Sequence, residues 1–236
     1  MNKKIKIIPY TLEKELAGIP PTPAIKHLPE WYKKLSPYTD GAKKLKYPMG
    51  HGSHNTGLKR CVPFLDAMTA GYMFVLDDDI YVEQLEDGPS IRWKSPVSMV
   101  TMHSPNQFEG LSIPKGYHNI VWKWHNEYIL ETPPGYSMLF THPINRFDLP
   151  FRTITGLVDT DLYGNGVQFP FFLEEGFEGI IESGTPLCQM IPIKKDSWET
   201  SLEKYDEHDY YKKSRKFART FEGSYKKNFW NKKSYS

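Results

Sequence analysis

Asp159 and Asp161 are the side chains of this sequence whose types and spacing best fit chemistry. They lie two positions apart, between the hydrophobic triplet Gly-Leu-Val and a Gly-Asn-Gly turn. Residues two apart share one face of a strand. Repulsion between the carboxylates is therefore expected to raise the pKa of one of them, or the pair is expected to hold a hard cation such as Mg²⁺. The alternative is a turn in which Asp161 caps backbone amides before Gly164.

The segments around this pair follow a familiar order, and they are TPPGYSMLFTHPINRFDLPF (132–151), TGLVDTDLYGNGVQFPFFL (155–173) and FEGIIESGTPLCQMIP (177–192). A Pro-Gly turn, a polar Asn-Arg segment, a Gly-Leu-Val-Asp segment and a last hairpin occur in that order. This order resembles the dUTPase and dCTP deaminase (β-clip) superfamily over about residues 132–192. The resemblance implies a homotrimer and a nucleotide ligand beside Arg146, Asp159, Asp161 and Gln189, while the acidic pair makes Mg²⁺ the candidate cofactor.

Departures from that pattern narrow the implied activity. Tyr163 stands where the deaminases carry a catalytic glutamate, and Met73 stands where the dUTPases carry an aspartate next to the sugar. The C-terminal sequence KKNFWNKKSYS also lacks the glycines of the dUTPase C-terminal motif. These differences argue against deamination and leave Asp159 as the candidate catalytic residue.

Two interpretations of function stay open. The first is a small-ligand or nucleotide-binding protein with a dUTPase-like fold that is catalytically degenerate. The second is a non-enzymatic phage virion or assembly protein. The long aromatic phrases, such as PPGYSMLFTHPINRFDLPF, are also similar to those of proteins from tailed phages of marine bacteria. The retained Gly-Leu-Val-Asp segment favours the first interpretation, and the altered catalytic positions favour the second.

Other polar and aromatic groups have an alternative structural explanation. His103 and His142 each follow an apolar strand and are the candidates for a jelly-roll metal site, although no His-x-Asp or His-Glu-x-x-His spacing occurs. The acidic run 77–79 has the position of a hairpin turn, with a cation site as the alternative. Trp122 and Trp124 share one strand face, where they either stack on a base or sugar or belong to the core.

The elements that must position these residues are mainly short strands. Runs of β-branched and aromatic residues, separated by Gly, Pro, Asp and Asn, recur about ten times between Val62 and Pro192. This spacing predicts a mainly β protein with an antiparallel barrel or a jelly-roll-like core. Four prolines within GIPPTPAIKHLP predict an extended N-terminal arm.

The pattern changes after Lys195, where helical spacing replaces the short strands. Trp198, Leu202 and Tyr205 predict one long helix of roughly 25 residues that starts at Asp196 or Ser197 and ends near Gly223. The predicted domains are an N-terminal arm and loop (1–61), a β core (62–195) and a C-terminal helix with a basic-aromatic tail (196–236).

Charge and apolar patches indicate the partners. The net charge is +2, but residues 26–60 and 204–236 are both basic around an acidic middle. The tail 224–236 is expected to pack on the core or on another subunit, with single-stranded nucleic acid as the alternative. A run too apolar for a free sheet face predicts a homo-oligomer, most simply a trimer, through Phe169, Phe171, Phe172 and Phe177.

The location of the protein follows from its apolar content. Hydrophobic residues make up 39% of the chain, and no stretch approaches eighteen consecutive apolar residues. The sequence therefore predicts a protein without membrane contact, in the host cytoplasm or in the virion.

Overall fold

The chain divides into two compact units. The structure is a computed structural model, and it describes residues 3–11, 18–38, 57–218 and 224–236. The β unit combines Met1–His27 with Ala70–Lys195, and the helical unit combines Leu28–Thr69 with Asp196–Ser236. The domain boundaries given above stay a prediction. None of the helices in the described part of the chain has the length and apolar character needed to span a bilayer.

The β unit contains fourteen strands among its described residues, all paired antiparallel. They are β1 (Lys6–Pro9), β2 (Thr22–Pro23), β3 (Tyr72–Val75), β4 (Ile80–Leu85), β5 (Gly88–Trp93), β6 (Val100–Met102), β7 (Tyr117–Trp124), β8 (Tyr128–Glu131), β9 (Tyr136–Thr141), β10 (Phe151–Thr153), β11 (Gly156–Val158), β12 (Phe169–Glu174), β13 (Gly179–Ile181) and β14 (Pro186–Lys194).

These strands form four sheets with the orders β11-β9-β14-β3-β2, β10-β12-β7-β6, β13-β4-β5 and β1-β8. The prediction of a mainly antiparallel β protein is confirmed. Among the described residues, however, the sheets are open and no closed barrel forms. The ten predicted strand runs all contain strand residues, whereas β1, β2 and β6 were not predicted. These three are short, with two to four residues each.

All four sheets contribute side chains to one hydrophobic core. Trp124 of β7 stacks on Phe171 of β12 with 3.9 Å between ring centroids, and Phe151 of β10 meets both rings edge-on. Trp122 and Trp124 are both buried, so they belong to the core. Because each buried aromatic side chain contributes about 1.5–3 kcal/mol, such contacts dominate the stability of the unit.

The apolar run of β12 is covered by the chain itself. Phe169, Phe171 and Phe172 are at most 5% exposed, and Phe177 packs against the same core. The inference that these rings form a subunit interface is therefore wrong, because two sheets of one chain already bury them. Self-association stays a prediction without this support.

Gly71 fixes the approach of β3 to β14. Its φ is 70°, a left-handed conformation in which side chains other than glycine are strained. An added β-carbon would also lie 1.9 Å from the backbone oxygen of Met190. Glycine is therefore required where the chain enters the five-stranded sheet.

The helical unit contains α1 (Glu30–Lys34), α2 (Val62–Thr69), α3 (Glu207–Ala218) and α4 (Ser224–Asn228). Tyr32 of α1 is buried and stacks with Phe64 of α2 at 6.0 Å between centroids. The indole Nε1 of Trp230 donates to Asp66 Oδ2 on α2 at 2.7 Å, and Lys233 Nζ lies 2.6 Å from the same oxygen. The tail thus packs on its own chain, in agreement with the expectation that it packs on protein.

The prediction of one long C-terminal helix is wrong. Residues 196–206 form no helix, and the helices that follow are short. Trp198, Leu202 and Tyr205 have the expected spacing, but they are 86%, 102% and 74% exposed. An amphipathic pattern stabilises a helix through burial of its apolar face, and here that burial is missing. The predicted end near Gly223 lies outside the described residues.

Candidate functional site

The loop between β9 and β10 is shaped by a tight turn. Arg146 N–H donates to the carbonyl of Pro143 at 3.1 Å, which closes a four-residue turn. Asn145, its third residue, has φ 61°. A type II turn requires this positive φ, and asparagine tolerates it better than other non-glycine residues.

The side chain of Gln189 on β14 holds this turn in place. Its side chain is completely buried. Oε1 accepts from Ile144 N–H at 2.9 Å, and Nε2 donates to the carbonyl of Ala70 at 2.7 Å. With these two hydrogen bonds, Gln189 fixes the position of the turn. The side-chain amide of Gln189 thus connects the turn to the residues that lead into β3, the strand that begins after Gly71.

The turn forms one wall of a cavity of about 280 Å³. The other walls come from β7, β9 and β10. The polar side chains among its described lining residues are Tyr117, Thr141, His142, Asn145, Arg146, Arg152, Thr153 and Thr155. Phe147 also lines the cavity and is 86% exposed. Single exposed apolar side chains are common on protein surfaces, so the relevance of this ring rests on its position at the cavity.

The two arginines of the cavity differ in their partners. Arg146 makes a bidentate pair with Asp148, in which Nε donates at 2.9 Å to Oδ1 and Nη2 donates at 2.9 Å to Oδ2. Its side chain is only 12% exposed. Arg152 on β10 is exposed between buried neighbours, and within the described ranges it forms no ion pair. Its guanidinium is therefore the cation that a ligand can reach.

His142 is held in one tautomer at the edge of the cavity. Nδ1 accepts from Thr153 N–H at 3.3 Å, so the proton is on Nε2, which donates to the carbonyl of Arg146 at 2.9 Å. Burial lowers the pKa of His142, and the charges of Arg152 and Arg146 lower it further. The imidazole is accordingly neutral at pH 7 and contributes shape and hydrogen bonds rather than charge.

The acidic pair lies outside the cavity, where it forms ion pairs with a lysine side chain of the same protein. Lys195 Nζ lies 2.7 Å from Asp161 Oδ1 and 3.1 Å from Asp159 Oδ1. Ser137 Oγ donates to Asp159 at 2.7 Å, and Gly135 N–H donates to Asp161 at 2.9 Å.

These partners set the charge of both acids. The Ser137 hydroxyl and then Lys195 lower the pKa of Asp159, and the Lys195 hydrogen bond lowers the pKa of Asp161. The expectation that repulsion raises one of the two pKa values is therefore wrong, because the hydrogen bonds from Ser137 and Lys195 outweigh it. Asp161 does bind a backbone amide, but it is that of Gly135 and not one of the amides before Gly164 that the turn interpretation named.

The structure separates the four predicted ligand residues into two places. Arg146 lines the cavity and Gln189 supports its wall, whereas Asp159 and Asp161 lie beside Ser137 at the start of β9. The cavity lies beside Thr141 at the other end of β9. Four residues at about 3.3 Å each place the acids about 13 Å away.

Among the residues that the structure describes, no group of three His, Cys, Asp or Glu side chains is placed to hold a metal ion. His142 uses both ring nitrogens for backbone groups, and His103 Nδ1 pairs with Gln107 at 2.9 Å. Asp77 and Asp79 accept from the backbone amides of Ile19 and Ser183, each at 2.8 Å. The acidic run lies in a bend that joins β3 of the five-stranded sheet to β4 of the three-stranded sheet, so the prediction of a hairpin turn is wrong. Two of its carboxylates bind backbone amides instead.

Sequence reasoning missed Arg152 and Lys195. Arg152 lies in a run whose composition is that of an ordinary strand. The feature that could have identified it is its position between Phe151 and Thr153, which are buried, directly after the loop. Lys195 is 34 positions from Asp161. The pairing of Lys194 with Tyr136 brings Lys195 beside Gly135, and sequence spacing does not reveal that register.

No family model matches the chain, and no curated protein matches it significantly. Its structure is similar to a mutant dUTPase of Staphylococcus aureus phage phi11, solved with a structural Mg(II) ion. That match covers 58% of this chain and 84% of the other at 14% identity and a TM-score of 0.30. A mutant dUTPase of Staphylococcus bacteriophage 80alpha with dUpNHpp matches 58% of this chain and 76% of its own at 13% identity and a TM-score of 0.29. Superpositions this loose assign neither a family nor a function.

Proposed function

We propose that the protein binds a small phosphorylated ligand of the nucleotide class in the cavity beside the β9–β10 loop. The observation that carries this proposal is the exposed guanidinium of Arg152, which lines a polar cavity and forms no ion pair within the described ranges. Guanidinium groups match the geometry of phosphate oxygens and form charge-assisted hydrogen bonds with them. An anionic group is the partner that this wall of the cavity lacks.

The remaining lining residues fit the other parts of a nucleotide. Thr141 and Thr155 pair through their hydroxyls at 2.9 Å, and such groups exchange partners readily with sugar hydroxyls. The exposed ring of Phe147 offers a flat surface on which a base can stack. Ligand sites commonly combine apolar walls with a few fixed polar groups in this way.

The four residues predicted from sequence take different parts in this proposal. Gln189 acts as a positioning residue through the turn that carries Arg146. Arg146 shapes the wall, because Asp148 already occupies its guanidinium. Asp159 and Asp161 stabilise the far end of β9 with Lys195 and take no part in binding. The proposal contains no catalytic step.

Calorimetric titration tests the proposal. Uridine 5′-monophosphate, adenosine 5′-monophosphate and ribose 5-phosphate are titrated into the protein, with uridine as the ligand without phosphate. Arg152→Gln is expected to weaken phosphate binding at least tenfold, since a hydrogen bond to a charged group contributes about 1.5–3 kcal/mol. Arg92→Gln is the matched control, because Arg92 is exposed on β5 and pairs with Glu83 outside the cavity.

Two results would contradict this function. The first is equal affinity for uridine and its monophosphate, which would remove the role of the phosphate. The second is the absence of binding by every phosphorylated ligand, which would favour the non-enzymatic virion or assembly protein instead. If salt-sensitive binding of single-stranded DNA appears and is lost on deletion of 224–236, the tail binds nucleic acid in addition to packing on α2.

A further inference from the structure

We infer that the cavity selects a single phosphate group that arrives without a bound metal ion, so that a nucleoside monophosphate binds better than a magnesium-bound triphosphate. This inference rests on the proposed function and specifies its ligand. It differs from the expectation drawn from sequence, in which Mg²⁺ accompanied the ligand.

The first reason is the chemistry of the lining. Neither aspartate nor glutamate occurs among the described residues of the cavity wall. Mg²⁺ in nucleotide sites is normally held by one or two carboxylates together with phosphate oxygens and water. A wall that offers guanidinium and hydroxyl groups instead meets the phosphate oxygens directly and gives a metal ion no carboxylate ligand.

The second reason is the state of the acids that sequence analysis assigned to Mg²⁺. Asp159 and Asp161 share the ammonium of Lys195, and each accepts a further hydrogen bond from Ser137 or Gly135. A divalent ion at this place would have to displace Lys195 and would still lie about 13 Å from the cavity, four strand residues away. The acids therefore cannot supply a metal to the ligand.

The third reason is the balance of charge. A phosphate monoester carries a charge of about −1.5 to −2 at pH 7, and each further phosphate adds about one negative charge. Arg152 is one accessible guanidinium, while Arg146 is engaged by Asp148 through both Nε and Nη2. One phosphate can be met by Arg152 and neighbouring hydroxyls, whereas the second and third phosphates of a triphosphate find no further accessible cation in the described wall and depend for neutralisation on the bound Mg²⁺ alone.

The size of the cavity agrees with this charge balance. A volume of about 280 Å³ lies at the small end of the roughly 300–1,000 Å³ that is usual for small-ligand pockets. That space suits a phosphate with its sugar ring, while the base extends toward the exposed Phe147. A triphosphate chain would occupy the same space before the sugar could enter.

The test is a set of four titrations of the wild-type protein. Uridine 5′-monophosphate and uridine 5′-triphosphate are each titrated in the presence of excess MgCl₂ and again in EDTA. The monophosphate is expected to bind with the same dissociation constant, within twofold, in both buffers. It is expected to bind at least tenfold more tightly than the magnesium-bound triphosphate.

A second variant separates this inference from the proposed function. Asp159→Asn combined with Asp161→Asn is expected to leave the affinity for the monophosphate unchanged, because the acids lie away from the cavity. Tighter binding of the triphosphate in MgCl₂, or loss of binding in EDTA or in the double variant, would overturn the inference while the proposed function stands. Failure of every phosphorylated ligand to bind would overturn both.

Discussion

Replacement of Gln189 by methionine probes the link between the β core and the cavity. Methionine has nearly the same length and volume as glutamine, so the substitution removes hydrogen bonds without opening a large void. The amide of Ile144 and the carbonyl of Ala70 both lose their side-chain partner. The rest of the packing around position 189 is expected to stay in place.

The size of the effect follows from the burial of Gln189, which is 0% exposed. An unsatisfied buried polar group costs about 1–3 kcal/mol, and an apolar side chain in the core returns part of that loss. Because Ile144 and Ala70 are only half-buried and their backbone groups regain some water, the free energy of unfolding is expected to fall by about 1–3 kcal/mol. Because the turn from Pro143 to Arg146 loses its anchor, affinity for phosphate ligands is expected to fall as well.

Urea unfolding, followed by the fluorescence of the buried tryptophans, measures the change in stability. Gln84→Met is the matched control, since Gln84 is only partly buried and its amide nitrogen donates one bond, to the carbonyl of Phe177. Its expected cost is below about 1 kcal/mol. If Gln189→Met unfolds within about 0.5 kcal/mol of the wild type, the role assigned to Gln189 is refuted.

Three further predictions follow from other parts of the structure. Gly71→Ala is expected to cost more than 2 kcal/mol in chemical denaturation, whereas Gly184→Ala, which is also left-handed but has open space, is expected to cost about 1 kcal/mol; equal costs would contradict the close contact. Trp230→Phe removes the bond to Asp66 and is expected to lower stability by about 1 kcal/mol, and an unchanged denaturation midpoint would show that the tail does not pack on α2. Because the pKa of His142 is lowered in the folded state, the unfolded chain binds more protons, and stability is expected to fall by up to about 1.4 kcal/mol per pH unit as the pH drops below about 6.5. A His142→Gln variant with the same slope would contradict this assignment.

The strands of the β unit could be predicted because their sequence signal is local. Runs such as IYVEQL, VWKW and CQMIPI combine β-branched and aromatic residues between turn formers, and each lies in a strand. The C-terminal helix could not be predicted in the same way. The spacing of Trp198, Leu202 and Tyr205 is helical, but spacing does not reveal whether a surface is present to bury that face.

The candidate site could be predicted only in part, because it too depends on contacts that are not local in the sequence. The sequence named Arg146 and Gln189 together with Asp159 and Asp161 as residues beside one ligand, and in the structure Gln189 holds the turn that carries Arg146. The neutralisation of Asp159 and Asp161 depends on Lys195, which the register of β14 on β9 brings close. Pairings of this kind, between residues far apart in the chain, decide the charge of a site. They cannot be predicted from a single sequence.

A crystal structure of the protein grown with uridine 5′-monophosphate and without Mg²⁺ tests the central claim most directly. The account predicts the phosphate at about 2.8 Å from the guanidinium of Arg152, with the base against Phe147. Nucleotide bound beside Asp159 and Asp161, or an empty cavity at saturating ligand, would contradict it.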